Sequence, residues 1–308
     1  MPRIAYLGPE GTFTEAALLK MSSAGMLPGG PSAQEVTPVA CDSTTGALSA
    51  VRDADADYAC VPIENSIEGS VLPTLDGLAG GTPLQIFAEL TLDVSFTIAV
   101  RENTAAEDVR TVAAFPVAAA QVRRWLTEHL PSARVVPANS NAAAAADVAA
   151  GRADAGVSTA LATKRYGLAA LASDIVDEPN ARTRFVLVGA PAPPPARTGA
   201  DRTSVVLRLD NVPGALVSAL TELAVRDIDL TRIESRPTRT GLGTYIFFLD
   251  CVGHIDDDAV AEALKALHRR CSDMRFLGSW PTGAAAGAAP PGLDEASRWL
   301  GRLKEGQR

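Results

Sequence analysis

Apolar positions follow two rhythms along the first 190 residues of the chain. Short runs that alternate or are wholly apolar have strand character: "RIAYLG", "DYACVPIE", "LTLDVSFTIAVR", "RTVAAFP", "ARVVPA" and "DAGVSTALA". Between them lie segments with helical spacing, at Thr14 to Ser22, Thr44 to Asp53, Ala118 to His129, Ala142 to Ala150 and Leu161 to Tyr166. The alternation predicts an α/β architecture. Phe185, Val186, Leu187 and Val188 read as a buried strand closing on Gly189. Its mouth, "NARTRF", sets two arginines and a threonine where buried polar groups need partners.

The pattern breaks at "GAPAPPPARTGADR", whose four prolines suit neither a helix nor a central strand. This is a stiff linker. After it the order is simpler. "TSVVLRLD" is a strand, "NVPG" a turn, and Ala215 to Arg226 a helix with Leu216, Leu220 and Leu223 on one face. A strand around Leu230 to Ser235 and the run "GTYIFFLDCVG" follow. Asp256 to Arg270 is a second helix, with Val260, Leu264 and Leu267 on one stripe, and "DMRFLGSW" closes the unit. That order is βαββαβ, a ferredoxin-like plan. The tail "PTGAAAGAAPPG" reads as mobile, and "LDEASRWLGRLKEG" as a final short helix.

A length of 308 residues with 47% hydrophobic content fits two domains, or one large and one small. The net charge is -8 and no basic block occurs, which argues against nucleic acid as a partner. A small anion remains possible through a local positive field. Cys41, Cys60, Cys251 and Cys271 are far apart, and His129, His254 and His268 are scattered. A zinc site or histidine triad gains no support, and the cysteines read as small buried thiols. "MPRIAYLG" does not read as a signal peptide, and no run of about 18 apolar residues predicts a membrane span. The expected location is cytoplasmic.

Candidate chemistry lies in stretches on both sides of the linker. "YLGPEGTFTEAA" is a glycine turn from strand to helix, with Thr12 and Glu15 as a capping box. N–H groups near Gly11 and Thr12 would bind an anion, but an ordinary tight β-α connection has the same signature. "VPIENSIEGSV" gathers Glu64, Asn65 and Ser66 at a strand end, where α/β sheets bind ligands or where a simple polar turn forms. Gln121 is one polar residue in an apolar stretch. In "NARTRF", Arg182 and Arg184 suit carboxylates or structural ion pairs, and Thr183 offers a neutral donor. Beyond the linker, Gly214 opens a helix in "DNVPGALVSAL", and Glu234, Ser235 and Arg236 end a strand that Pro237 stops. A small zwitterion would suit that place, as would plain turns and caps.

Taken in order, "GPEGTFTEAA", "PIENSIEGSV", "TRF", "PGAL" and "ESRP" resemble the prephenate dehydratase family, and the C-terminal unit resembles an ACT domain. The resemblance implies a two-lobed α/β catalytic domain, periplasmic-binding-protein-like of type II, over residues 1–190. Lobe 1 would be about 1–77 and 177–190, and lobe 2 about 78–176. A linker at 191–201, a βαββαβ ferredoxin-like ACT domain at 202–280 and a flexible tail at 281–308 would follow.

The implied activity is decarboxylative dehydration of prephenate to phenylpyruvate, with no cofactor. By the same resemblance, Thr183 is the catalytic donor to the leaving hydroxyl. Arg184 would hold substrate carboxylates with Gly11 and Thr12, beside Phe185. Asn65, Ser66 and Gln121 would orient the substrate, and Glu64 would be an acid if buried enough to stay protonated. L-Phenylalanine would bind as effector around Asn211, Pro213, Gly214, Ala215, Leu216 and the Glu234, Ser235, Arg236, Pro237 segment. The ACT domains would join a homo-oligomer, dimer or tetramer. The chain departs from a common family pattern: Ala114, Phe115, Pro116 and Val117 replace Ser-His-Pro-Gln, which removes a serine contact to substrate. Arogenate as substrate, or a non-catalytic amino-acid sensor, are the alternatives.

Overall fold

In the computed structural model of the protein, residues 1–29, 35–238, 243–283, 287, 290 and 294–307 are described. The chain divides into two units, residues 1–77 with 90–188, and residues 78–89 with 189–308.

The first unit contains two sheets. Its elements begin with β1 (Arg3–Leu7), α1 (Phe13–Ser23), β2 (Thr37–Cys41), α2 (Thr44–Arg52), β3 (Tyr58–Asn65), β4 (Gly69–Ser70) and α3 (Leu72–Ala79). β5 (Gln85–Asp93) contributes its end, Leu90–Asp93, to this unit. β6 (Phe96–Val100), β7 (Thr111–Ala114), α4 (Pro116–Gln121), α5 (Arg123–His129), β8 (Arg134–Pro137), α6 (Asn141–Ala149), β9 (Ala155–Ser158), α7 (Ala160–Arg165), β10 (Ala169–Ile175) and β11 (Arg182–Gly189) complete it. The first sheet has the order β2-β1-β3-β11-β5, with β4 paired to β3. β1 runs parallel to both β2 and β3. The second sheet has the order β10-β6-β9-β7-β8. β7 is parallel to β8 and β9, and β6 antiparallel to β9 and β10.

The two-lobed α/β expectation is met, with three adjustments. "LTLDVSFTIAVR" is two strands, because the chain leaves the first sheet at Asp93 and enters the second at Phe96. Val94 N–H donates to the Ala181 carbonyl at 2.7 Å across this handover. The passage between lobes therefore lies at 94–95, not near residue 78, and the return falls between Ile175 and Arg182. Second, the helix expected at Ala118 to His129 is broken at Val122, which separates α4 from α5. The Gln121 carbonyl accepts from Asp177 N–H at 2.7 Å, and the Asp177 carboxylate accepts from Arg124 N–H at 2.7 Å. A distant aspartate thus supplies the break. Third, β2, α3 and β10 are additional elements.

Why these sheets form is plain from burial. Phe185 to Val188 on β11 are sealed on both faces, as are Ile4, Ala5 and Tyr6 on β1. Each such large side chain contributes about 1.5–3 kcal/mol on leaving water. In the second lobe Phe96, Ile98, Val112, Val122, Leu126 and Val157 form the core.

The second unit is the expected βαββαβ plan: β12 (Asp201–Arg208), α8 (Ala215–Ala224), β13 (Leu230–Pro237), β14 (Tyr245–Val252), α9 (Asp258–Arg270) and β15 (Asp273–Pro281). Its antiparallel sheet has the order β13-β14-β12-β15. Val205, Leu207, Leu249, Leu223, Val260 and Leu267 pack its sheet and helices together. A buried ionic group runs through this unit. Asp250 accepts from Arg232 Nε and Nη2 at 2.9 and 3.0 Å, and from Ser204 Oγ at 2.7 Å. Arg202 lies 3.7 Å from Asp250 and 3.6 Å from Glu89, which accepts from Trp280 Nε1 at 3.0 Å. The short helix expected in the tail is present as α10 (Asp294–Lys304). Of the tail read as mobile, residues 284–286, 288–289, 291–293 and 308 lie outside the described residues. No helix among the described residues is long and apolar enough to cross a membrane.

Candidate active site

The end of β3 meets the start of β11 in antiparallel register. Ser66 N–H donates to the Arg182 carbonyl at 2.8 Å, and Arg182 N–H donates to Ser66 Oγ at 2.8 Å. One step in, Asn65 Nδ2 donates to Thr183 Oγ1 at 2.9 Å. Asn65 Oδ1 accepts from Ile67 and Glu68 N–H at 2.8 and 3.0 Å. Those two backbone donors fix which end of the amide is oxygen, so the NH₂ faces Thr183. The threonine oxygen is then an acceptor in this pair, and its own proton is left for another acceptor. Ser66 Oγ also donates to the Asn180 carbonyl at 3.3 Å, anchoring the turn.

Three side chains stand otherwise than the expectation drew them. Arg184 is buried, and its Nε and Nη2 lie 3.1 and 3.0 Å from Glu64 Oε2. The guanidinium expected to hold substrate carboxylates is engaged by a protein carboxylate. Glu64 in turn has a side chain 42% exposed beside that cation, so the burial its role as acid required is lacking. Phe185 is 2% exposed and part of the core.

The Gly8–Thr12 loop follows β1 at the same sheet edge. Thr12 is the N-cap of α1, with Oγ1 accepting from Glu15 N–H at 3.4 Å and donating to the Leu7 carbonyl at 3.0 Å. Glu15 Oε2 takes the Gly11 N–H at 2.5 Å. The Thr12 half of the expected capping box forms, while the Glu15 carboxylate reaches one residue behind the N-cap to Gly11 N–H, which is therefore engaged by the protein. Gly11 has φ +89°, and a Cβ there would stand 2.8 Å from the Ala162 Cβ.

Thr12, Phe13 and Thr14 line a cleft of about 880 Å³ whose wall also includes Cys41, Phe115, Asn139, Ser140, Asn141 and Ala143. The first turns of α1 and α6, one from each lobe, thus open on one cavity. The sequence reading missed the α6 contribution, although Ser140 before an alanine run is an N-cap signal, and its Oγ does accept from Ala143 N–H at 3.0 Å. Thr183, Asn65 and Gln121 are not on this wall. β1, β3 and β11 are neighbours in the sheet. Thr183 stands two strands over from β1 and further along the sheet, because Tyr6 is level with Cys60 on β3 whereas Thr183 meets Asn65. Gln121, 7% exposed, stands apart in the second lobe with Oε1 buried and without a hydrogen-bond partner among the described residues.

In the second unit a cavity of about 380 Å³ is lined by Asn211, Gly214, Ala215, Leu216, Tyr245 and Phe247, among others. Gly214 is the N-cap of α8 at φ +80°, with no side-chain cap bond. Pro213 and the Glu234 to Pro237 segment are not on the wall. That segment pairs with the wall strand, Ser235 opposite Phe247 and Pro237 opposite Tyr245.

A family model described as prephenate dehydratase matches residues 4–193, and one described as the ACT domain matches residues 203–269. A prephenate dehydratase of Mycolicibacterium vanbaalenii is 76% identical over 311 residues, covering 100% of both chains. The crystal structure of an Arthrobacter aurescens prephenate dehydratase in complex with L-Phe superposes with a TM-score of 0.87 at 40% identity, covering 98% of this chain and 99% of that one. A further solved structure, GqqA, described as a novel type of quorum-quenching acylase, has a TM-score of 0.79 at 29% identity over 91% of this chain and 98% of its own.

Proposed function

This chain belongs to the prephenate dehydratase family, and we propose that it expels the prephenate hydroxyl with the help of the Thr183 side chain. The reaction is the decarboxylative dehydration of prephenate to phenylpyruvate, on the route to L-phenylalanine, under feedback by phenylalanine at the ACT domain.

Loss of carboxylate as CO₂ feeds an electron pair into the ring as the ring C–O bond breaks, and aromaticity drives the step. The obstacle is hydroxide as a leaving group. A donor placed on that oxygen stabilises the developing charge and is worth about 10²–10³ in rate. The Asn65 Nδ2 to Thr183 Oγ1 bond at 2.9 Å carries this reading, because in it the threonine oxygen accepts and its proton is left to give. The hydroxyl need not ionise.

With Arg184 turned to Glu64, substrate carboxylates are assigned to the helix starts that face the cleft, at Thr12 to Thr14 and at Asn141 and Ala142, ahead of the capped Ala143 N–H. The first-turn N–H groups and the helix dipoles favour anions. Ser66 and Arg184 hold the strands that present Asn65 and Thr183, and Gln121 is an orienting group of the second lobe. For the effector, the α8 start at Gly214 receives the phenylalanine carboxylate, and Tyr245 and Phe247 flank the ring. Assembly through ACT domains as a dimer or tetramer, and a cytoplasmic location, belong to the same reading. Phenylpyruvate formation from prephenate, wild type against Thr183→Ala, tests it: loss of kcat supports the donor role, and wild-type kcat removes it.

A further inference from the structure

Helix α7 of the second lobe grips the loop that opens α1. Its N-cap Thr159 donates Oγ1 to the Gly11 carbonyl at 2.6 Å. Its last residue, Arg165, donates Nη2 to Glu15 Oε1 at 2.8 Å and pairs through Nη1 with Glu10. The other oxygen of Glu15 takes the Gly11 N–H. Both polar groups of Gly11 and both oxygens of Glu15 are thereby used, and Glu15 is only 3% exposed. Phe13 meets Phe96 of the second lobe edge-on, with centroids 5.8 Å apart.

This arrangement answers an electrostatic difficulty. Glu15 lies in the first turn of α1, where a carboxylate offsets the positive end of the helix dipole. The same turn lines the cleft through Thr12, Phe13 and Thr14. An uncompensated Glu15 would repel an anion arriving there. Among the described residues, the cleft wall contains no lysine or arginine to counter it, and it adds Glu10 and Asp42. Arg165 is the cation that touches both Glu15 and Glu10.

We infer that Arg165 is a positioning residue for prephenate turnover. Held by Glu15 and Glu10, it cancels their charge at the start of α1 and fixes the Gly11 peptide, so that the first-turn N–H groups stay attractive to the substrate carboxylates. The inference rests on the reading that the cleft receives those carboxylates. Glu15 is the partner that fastens Arg165, and it touches no reacting atom.

The test compares steady-state kinetics with prephenate for Arg165→Met, Arg165→Lys, Glu15→Gln and the double variant Glu15→Gln/Arg165→Met, with thermal melts alongside. Arg165→Met raises KM about tenfold or more with kcat within about threefold, as one unbalanced charge at a helix start allows. Arg165→Lys recovers most of the loss. The double variant, lacking both charges, returns KM to within about threefold of wild type. That recovery is something a contact important only for folding does not produce, since the lobe-to-lobe link is still missing. If Arg165→Met fails to fold, the double variant decides: KM near wild type upholds the inference, and a tenfold rise overturns it. A folded Arg165→Met with KM within twofold of wild type also overturns it. Wild type and Thr183→Ala run in the same assay keep this outcome separate from the activity: no phenylpyruvate from wild type would remove the functional reading itself.

Discussion

Asn65 and Thr183, 118 positions apart in sequence, are joined by a 2.9 Å hydrogen bond in which the amide donates and the hydroxyl accepts. The direction matters more than the contact. A serine or threonine hydroxyl has one proton, and a partner that can only accept would claim it. Asn65→Asp is such a partner. Its carboxylate can still accept from Ile67 and Glu68 N–H, so the turn survives. Asn65→Asp should lower kcat by about 10² or more, because the donor at the leaving oxygen is withdrawn. Asn65→Ala should cost less, since the proton remains free. Initial rates at saturating prephenate check the order; Asn65→Ala slower than Asn65→Asp contradicts it.

Glu64 faces Arg184, not a proton acceptor on a ligand. Glu64→Gln should retain kcat within about tenfold, as loss of a general acid would cost about 10²–10⁴. A thousandfold fall in kcat would return Glu64 to the role of acid.

Asp154 gives a pH signature in stability. Its carboxylate accepts from Thr111 Oγ1 at 2.8 Å and from Thr111 and Arg110 N–H at 2.9 and 3.1 Å. The Thr111 hydroxyl first, then those N–H groups and Arg101, hold its pKa below the usual carboxylate value. A depressed folded pKa gives stability that is present above the unfolded value, about 3.9, and is lost as pH falls through the folded pKa. Asp154→Asn should therefore melt below wild type at neutral pH, and the gap should close under acid conditions. A gap that stays constant with pH in thermal melts would show that the charge contributes nothing.

Gly214 caps α8 at φ +80°, a conformation that costs an alanine roughly 1 kcal/mol. Among the described residues outside its own turn, no atom stands within 4 Å of its would-be Cβ, so backbone strain is the effect expected. Gly214→Ala should tilt the α8 start and weaken phenylalanine binding about fivefold or more, while activity without phenylalanine is unchanged. Calorimetric titration with phenylalanine checks this, and an unaltered Kd would move the effector site elsewhere.

Much of this molecule is legible in its sequence, for identifiable reasons. β1, β3 and β11 announce themselves because their residues are buried on both faces. β2 and β10 do not, since each is an edge strand whose side chains are half-exposed or exposed, so neither has the alternation or full burial that marks a strand. β5 and β6 read as one strand because Val94 continues the apolar pattern through the handover. The division of α4 from α5 depends on Asp177, more than fifty positions away, which no local pattern reveals. At the site, the residues that gather around Thr183 are recognisable as motifs, but their pairing is not. Arg184 and Glu64 are 120 positions apart, and only the β3–β11 register makes them partners. The spacing of Thr12 and Glu15 is visible in the sequence, but not that the Glu15 carboxylate passes over the N-cap to take the Gly11 N–H and so removes it from the donors open to a ligand.

The account depends most on the Thr183 hydroxyl, and kcat for prephenate in Thr183→Ala beside Thr183→Ser addresses it most directly. The prediction is a fall of about 10²–10³ in the alanine variant with KM little changed, and substantial recovery in the serine variant, which restores the hydroxyl. An alanine variant that turns over prephenate at the wild-type rate would contradict it.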